Sequence, residues 1–166
     1  MRRHGASMVR IVWTVSGRYA TTEADDVVQE ALIAALTTDA LPTGDIGAWL
    51  RAITARKALD GVRQRARRAE QPLLAAGEPG GVEPLAPADA ATPVAVLSVR
   101  RALARLSPLD RAVLTLVDLE GFSMAHAARA VGSTTMAVKW RAVRARRRLR
   151  ALLDGGTRAA AEDDRR

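Results

Sequence analysis

The chain has 166 residues, 48% of them hydrophobic, 3% aromatic and none of them cysteine, which excludes disulfides, thiolate metal sites and a thiol redox switch. The net charge is +8 and the positive charge is nearly all arginine, so the expected partner is polyanionic: cationic side chains neutralise phosphates and release their counterions. Ala, Leu and Arg favour helix, and the β-branched, aromatic-rich runs of strands are missing, so the chain is expected to be all-α.

Residues 3–16 form the first expected helix, with Val9, Val12 and Trp13 on it. Its longest apolar run, Met8 to Trp13, is short and broken by Arg10, which fits neither a signal peptide nor a membrane span. A cytoplasmic protein with no membrane contact is expected. Thr22-Glu23 opens a second helix to Leu36, with Val28, Ala31, Leu32 and Ala35 as its inward stripe. Asp26, Gln29, Glu30 and Ile33 lie on the opposite face. On a basic protein that acidic face is either a plain solvated surface or a docking surface for a basic protein partner.

After Pro42 and Gly44 a third helix runs from Asp45 to Arg68, with Trp49, Ala52, Ala55, Leu59 and Val62 inward. Arg56, Lys57, Arg63, Arg65, Arg67 and Arg68 gather along it against Asp60 and Glu70. Cations are favoured near any helix C-terminus, but a second basic module further along the chain turns the reading toward nucleic acid. Residues 70–93 hold five of the seven prolines together with Gly77, Gly80 and Gly81, and read as a flexible linker.

Beyond the linker, Val96, Val99, Leu103 and Leu106 mark a helix that stops at Ser107-Pro108. Asp110 to Glu120 forms the next, with Gly121 as its cap. Ser123–Ala130, a turn at 131–133 and a long helix from Thr134 to Leu153 complete the block. Ala128, Gly132 and Val138 occupy positions 5, 9 and 15 of a helix-turn-helix. A small residue there permits close helix crossing, glycine takes a left-handed turn, and a branched residue seats the second helix. Thr134 or Ser133 can cap that helix, whose first turns would offer Thr135, Met136, Lys139 and Trp140 to a major groove. Arg141, Arg144, Arg146, Arg147, Arg148 and Arg150 follow with no acid among them, as suits phosphate contact. The chain thus divides into helical domains at 1–69 and 94–153, the linker at 70–93, and an expected disordered tail at 154–166.

Nothing points to an enzyme, a cofactor or a metal. His4 and His126 have no nucleophile or metal partner at a recognisable spacing, and Asp25 and Asp26 diverge by about 100° on a helix.

Taken together, ADDVVQEALIAAL (24–36), AWLRAITARKALDGVRQRARR (48–68) and the stretch from Arg101 to Leu153 resemble RNA polymerase sigma factors of the extracytoplasmic-function (ECF) type. The first looks like the core-binding helix of region 2, the second like the helix that follows it, and the third like region 4. The resemblance implies that Asp26, Gln29, Glu30 and Ile33 dock on core RNA polymerase. It implies that the first domain holds the single-stranded −10 element, and that the second reads the duplex −35 element with Lys139 and Arg141 among its contacts. Arg56, Lys57, Arg63, Arg65, Thr134, Thr135, Met136, Trp140 and Arg144 complete the expected DNA-binding set. An anti-sigma factor is admitted as a further partner. The sequence departs from the family pattern in an aromatic-free loop at 37–47, in Lys57 where Asn is usual, in His126 where an acid is usual, and in Trp140 where the residue is usually small. Two other readings stay open at this point: a helix-turn-helix regulator that acts without polymerase, and a sigma-like decoy that docks on polymerase without opening promoters.

Overall fold

The computed structural model describes residues 4–17, 20–39, 42, 44–70 and 94–163. Among them it is all-helical: α1 (Gly5–Ser16), α2 (Ala20–Leu36), α3 (Ile46–Glu70), α4 (Val94–Ala104), α5 (Pro108–Leu114), α6 (Met124–Val131) and α7 (Thr135–Asp163). The linker expected at 70–93 lies outside the described residues apart from Glu70, which ends α3. Ala40, Leu41 and Thr43 of the aromatic-free loop lie outside them as well.

The helices of the first block pack as their sequences dictate, although α2 begins at Ala20, two residues before the start expected at Thr22-Glu23. On α1, Met8, Ile11, Val12 and Val15 recur at helical spacing and are all buried. Asp45 opens α3 by accepting a 2.8 Å bond from the Gly47 amide, satisfying a donor that the first turn leaves without a partner. Thr54, Ala55, Ala58 and Leu59 form the buried centre of α3, with Trp49, Ala52 and Val62 partly buried beside it. On α2, Ala24, Ala31 and Ala35 face inward.

In the second block Ser107 caps α5, accepting from the Asp110 amide at 3.1 Å, and Pro108 occupies the first turn, where no amide donor is required. Three details differ from expectation. The helix from Asp110 does not run evenly to Glu120: residues 115–119 widen into a π turn, in which the Glu120 amide reaches back to the Thr115 carbonyl at 2.9 Å. The expected stripe of α4 is buried only at its C-terminal end. Leu106 is 3% exposed but Val96 and Val99 are about 40%, because α4 packs against α7 alone among the well-contacted elements. The tail expected to be disordered from Asp154 continues α7 as far as Asp163, where Arg158 and Ala159–Ala161 are strong helix formers that outweigh Gly155 and Gly156.

The two blocks share a core. Ile11, Val15, Ala55, Ala58 and Leu59 from the first belong to one buried cluster with Ala112, Val113, Leu116, Phe122, Ala127 and Val131 from the second. The contacts run between α3 and α6, α1 and α5, and α3 and α5. Alanine dominates this seam, so the helix backbones approach closely and the apolar area lost from water per residue is modest.

Candidate nucleic-acid interface

The turn between α6 and α7 has helix-turn-helix geometry. Ser123 caps α6, its Oγ accepting from the His126 amide at 3.2 Å. Gly132 ends that helix at φ 67°, ψ 48°, a left-handed conformation that a Cβ disfavours. The Ser133 amide returns to the Ala128 carbonyl at 2.9 Å, and Thr134 caps α7 by accepting from the Ala137 amide at 3.2 Å. Ala128 and Val138 are both buried and share the main core cluster, so the small residue and the branched one lie where the motif requires them. Position 134, left open against Ser133 by sequence, is the cap.

That turn fixes which face of α7 looks outward. Thr135, Met136, Lys139, Trp140 and Arg144 are all exposed. Arg141 is different: its Nη1 donates to Asp110 Oδ1 at 3.0 Å and its side chain is about one-third exposed, so it ties α7 to α5. Arg146 likewise binds Asp118 with two hydrogen bonds, at 2.6 and 3.1 Å. The Asp118 hydrogen bond, with the attraction of that carboxylate, raises the pKa of Arg146 above the ordinary guanidinium range.

The basic residues of α3 and the acidic ridge of α2 are neighbours. Asp26, Gln29 and Glu30 are exposed and Ile33 is 56% exposed, so the ridge is open to solvent, with Asp26 and Glu30 at its edge toward α3. Lys57 pairs with Glu30 at 3.5 Å, and an open cleft of about 700 Å³ between the helices is lined by Asp26, Glu30, Lys57, Asp60, Arg65 and Arg68, among others. Arg63 pairs with Asp60 one turn away at 3.0 Å. Arg56 is exposed, and its Nη2 donates to the Arg129 carbonyl of α6 at 3.3 Å. The expected α3 cations therefore lie on two sides of the helix, Lys57, Arg65 and Arg68 along the α2 cleft and Arg56 beside α6, and several of them already hold partners within the fold.

Sequence reasoning missed a second set of polar residues, those that join the blocks. Glu120 has a side chain only 2% exposed, held by Arg10 at 2.8 Å and by Arg51 at 3.4 Å. Arg51 also lies over the Phe122 ring, 5.7 Å from its centroid. Arg111 is 7% exposed and donates to carbonyls of both blocks, and burial lowers its pKa from the ordinary value. No spacing rule could have paired these residues across the blocks, because their partners there lie 69 to 110 positions away.

Comparison with known proteins follows the same division. Residues 1–68 match the Sigma-70 region 2 family and residues 97–149 match Sigma-70 region 4. The chain is 33% identical over 154 residues to the ECF RNA polymerase sigma factor SigM of Mycobacterium tuberculosis, covering 92% of this chain and 74% of that protein. It is 33% identical over 163 residues to the RNA polymerase sigma factor CnrH of Cupriavidus metallidurans, covering 92% and 83%. Among solved structures it resembles the sigma factor RpoE in complex with the anti-sigma factor NepR from Bartonella quintana, with a TM-score of 0.69, 25% identity, and 90% and 91% of the two chains covered. It also resembles CnrH in complex with the cytosolic domain of CnrY, with a TM-score of 0.59, 26% identity, and 93% and 84% covered. With both regions present in order, and relatives matched over most of their length, the chain belongs to the ECF RNA polymerase sigma factors.

Proposed function

We propose that this sigma factor docks on core RNA polymerase through Asp26, Gln29, Glu30 and Ile33, and that its two basic modules divide the promoter between them. Arg56, Lys57, Arg63 and Arg65 of α3 face the −10 element as it opens, and the first turns of α7 read the −35 duplex. Lys139 and Arg144 supply phosphate or base contacts there, with Thr134 and Thr135 at the helix start. The observation that carries this reading is the outward exposure of both the acidic ridge of α2 and the groove-facing turns of α7 on one molecule. A regulator acting without polymerase needs only the second. The chain would work in the cytoplasm, beside polymerase and DNA, and an anti-sigma factor is proposed as a further partner by analogy with the RpoE and CnrH complexes.

The two elements are separated by about 25 base pairs, roughly 85 Å at 3.4 Å per step. A compact body of this chain length is only about 40 Å across. Reading both elements at once therefore requires the shared core to part on the polymerase.

The test is a runoff transcription assay with purified core polymerase on native upstream DNA. Specific transcripts are expected. Core binding without transcripts would make the chain a decoy, and duplex binding with no polymerase association would make it a simple regulator. Changing Asp26→Arg and Glu30→Arg together should abolish core association and leave duplex binding by the chain intact; loss of both would refute the division of roles.

A further inference from the structure

On α7, Val138, Ala142 and Ala145 are at most 2% exposed and define the inward face. Opposite them, at i, i+4 and i+7, stand Met136, Trp140 and Val143, exposed by 62%, 70% and 43%. An exposed tryptophan between two further apolar side chains marks a contact surface more often than chance scatter. The stripe is flanked by Lys139 on one side and Arg144 on the other and continues into Arg147, and no acidic residue occurs on α7 from Thr135 to Leu153. Its occupant must therefore combine dense negative charge with small apolar groups. Major-groove DNA does so: phosphates line its edges, and the thymine 5-methyl is the apolar group it displays.

We infer that Met136, Trp140 and Val143 form an apolar reading edge for thymine methyl groups in the upstream promoter duplex. This rests on the proposed entry of α7 into that groove, and it adds the chemistry of the preference. Seven residues of helix span about 10 Å, the length of roughly three base steps. The preferred thymines thus fall within about three consecutive base pairs, with the indole broad enough to cover two neighbouring methyls.

The test uses holoenzyme assembled from core polymerase and the full chain. Upstream sites are selected from duplexes randomised across the −35 position, and each thymine of the selected site is then replaced by deoxyuridine, which lacks only the methyl group. One or two replacements within the window should each weaken wild-type binding about three- to fivefold. Trp140→Ala should bind the thymine site more weakly and be indifferent to deoxyuridine, while Trp140→Phe should keep part of the sensitivity. Thermal unfolding should be unchanged in both variants, since Trp140 is mostly in solvent. Thymines that tolerate deoxyuridine, or sensitivity that survives Trp140→Ala, would overturn the inference and leave duplex reading by α7 standing. Enrichment of no upstream sequence would overturn both. Loss of core association on Trp140→Ala, with duplex discrimination intact, would reassign the stripe to a protein partner and overturn the inference alone.

Discussion

Arg111 Nη2 donates a 2.7 Å hydrogen bond to the carbonyl of Val15, a residue 96 positions earlier. Its Nη1 donates to the Leu106 carbonyl at 2.9 Å and approaches that of Ala104 at 3.4 Å. One planar guanidinium thus closes the C-terminal ends of α1 and α4 together, satisfying carbonyls that those helices cannot satisfy themselves. Gly17, at φ 62°, turns the chain beside it in a left-handed conformation that side-chain-bearing residues disfavour, while a Cβ there would only touch Nη2 at 3.4 Å. Arg111→Met should lower stability by about 2–4 kcal/mol, because it removes charged donors and leaves buried acceptors without partners. Arg111→Lys should lose nearly as much, since an ammonium lacks the fork. Urea unfolding of the full chain measures both, and unchanged midpoints would show that the carbonyls find other donors.

Glu120 is the other tie. Its carboxylate is withdrawn from solvent and held by Arg10 of α1 and Arg51 of α3, so the π turn of the second block is anchored on two helices of the first. Removing one partner of a buried ion pair is costly, because the remaining charge is left behind in a poor solvent. Arg10 is half exposed, which moderates the effect, and Glu120→Ala should cost about 2–3 kcal/mol. It should also let the blocks separate more readily. The chain lacks cysteine, so dyes on Asp25→Cys and Ala151→Cys report that separation by energy transfer without background. A single close distance is expected for the free chain, a mixture for Glu120→Ala, and a long distance once core polymerase is added. A close distance that persists in the holoenzyme would contradict the parting that the promoter spacing demands.

Lys139 and Arg141 are two positions apart on α7 and should behave oppositely. Lys139 is exposed, so Lys139→Ala should leave unfolding unchanged, weaken duplex binding, and reduce the salt dependence of binding by about one phosphate contact. Arg141 pairs with Asp110, itself 8% exposed, so Arg141→Ala should cost about 1–3 kcal/mol of stability by stranding that carboxylate. Equal loss of stability in both variants would show that Lys139 has a structural role as well.

What could be read from the sequence was local. The inward face of α2, the Ser107-Pro108 start of α5, and the spacing of Ala128, Gly132 and Val138 all follow from relations within a few residues. Hence the helices and the helix-turn-helix were legible. Which buried alanines face the other block was not, because Ala55 and Ala58 repeat at the same helical period whether they pack on α1 or on α6. The same limit hid the polar ties. Arg111 sits among apolar residues as any surface arginine could, and only the tertiary arrangement brings Val15 to it. Arg141 shows the same limit: the spacing of α7 places it among the expected DNA contacts and gives no sign of the carboxylate 31 positions earlier that also engages it.

Gly132 gives the most direct test of the turn that aims α7. A Cβ added there would meet nothing within 4 Å, so substitution carries no steric clash with the rest of the fold. The cost lies wholly in its φ of +67°, a conformation in which L side chains crowd their own backbone. Gly132→Ala should therefore destabilise by about 1–2 kcal/mol, and Gly132→Asn by less, since asparagine visits this region more readily. Gly132→Val should be worst, because branching at Cβ worsens the same crowding. Duplex affinity should fall in the same order, since a turn relaxed toward negative φ would swing the first residues of α7 away from the groove. Thermal unfolding and duplex titration of the three variants give two independent rankings. If Ala, Asn and Val prove equivalent, the left-handed geometry is not what holds the helix pair at its angle.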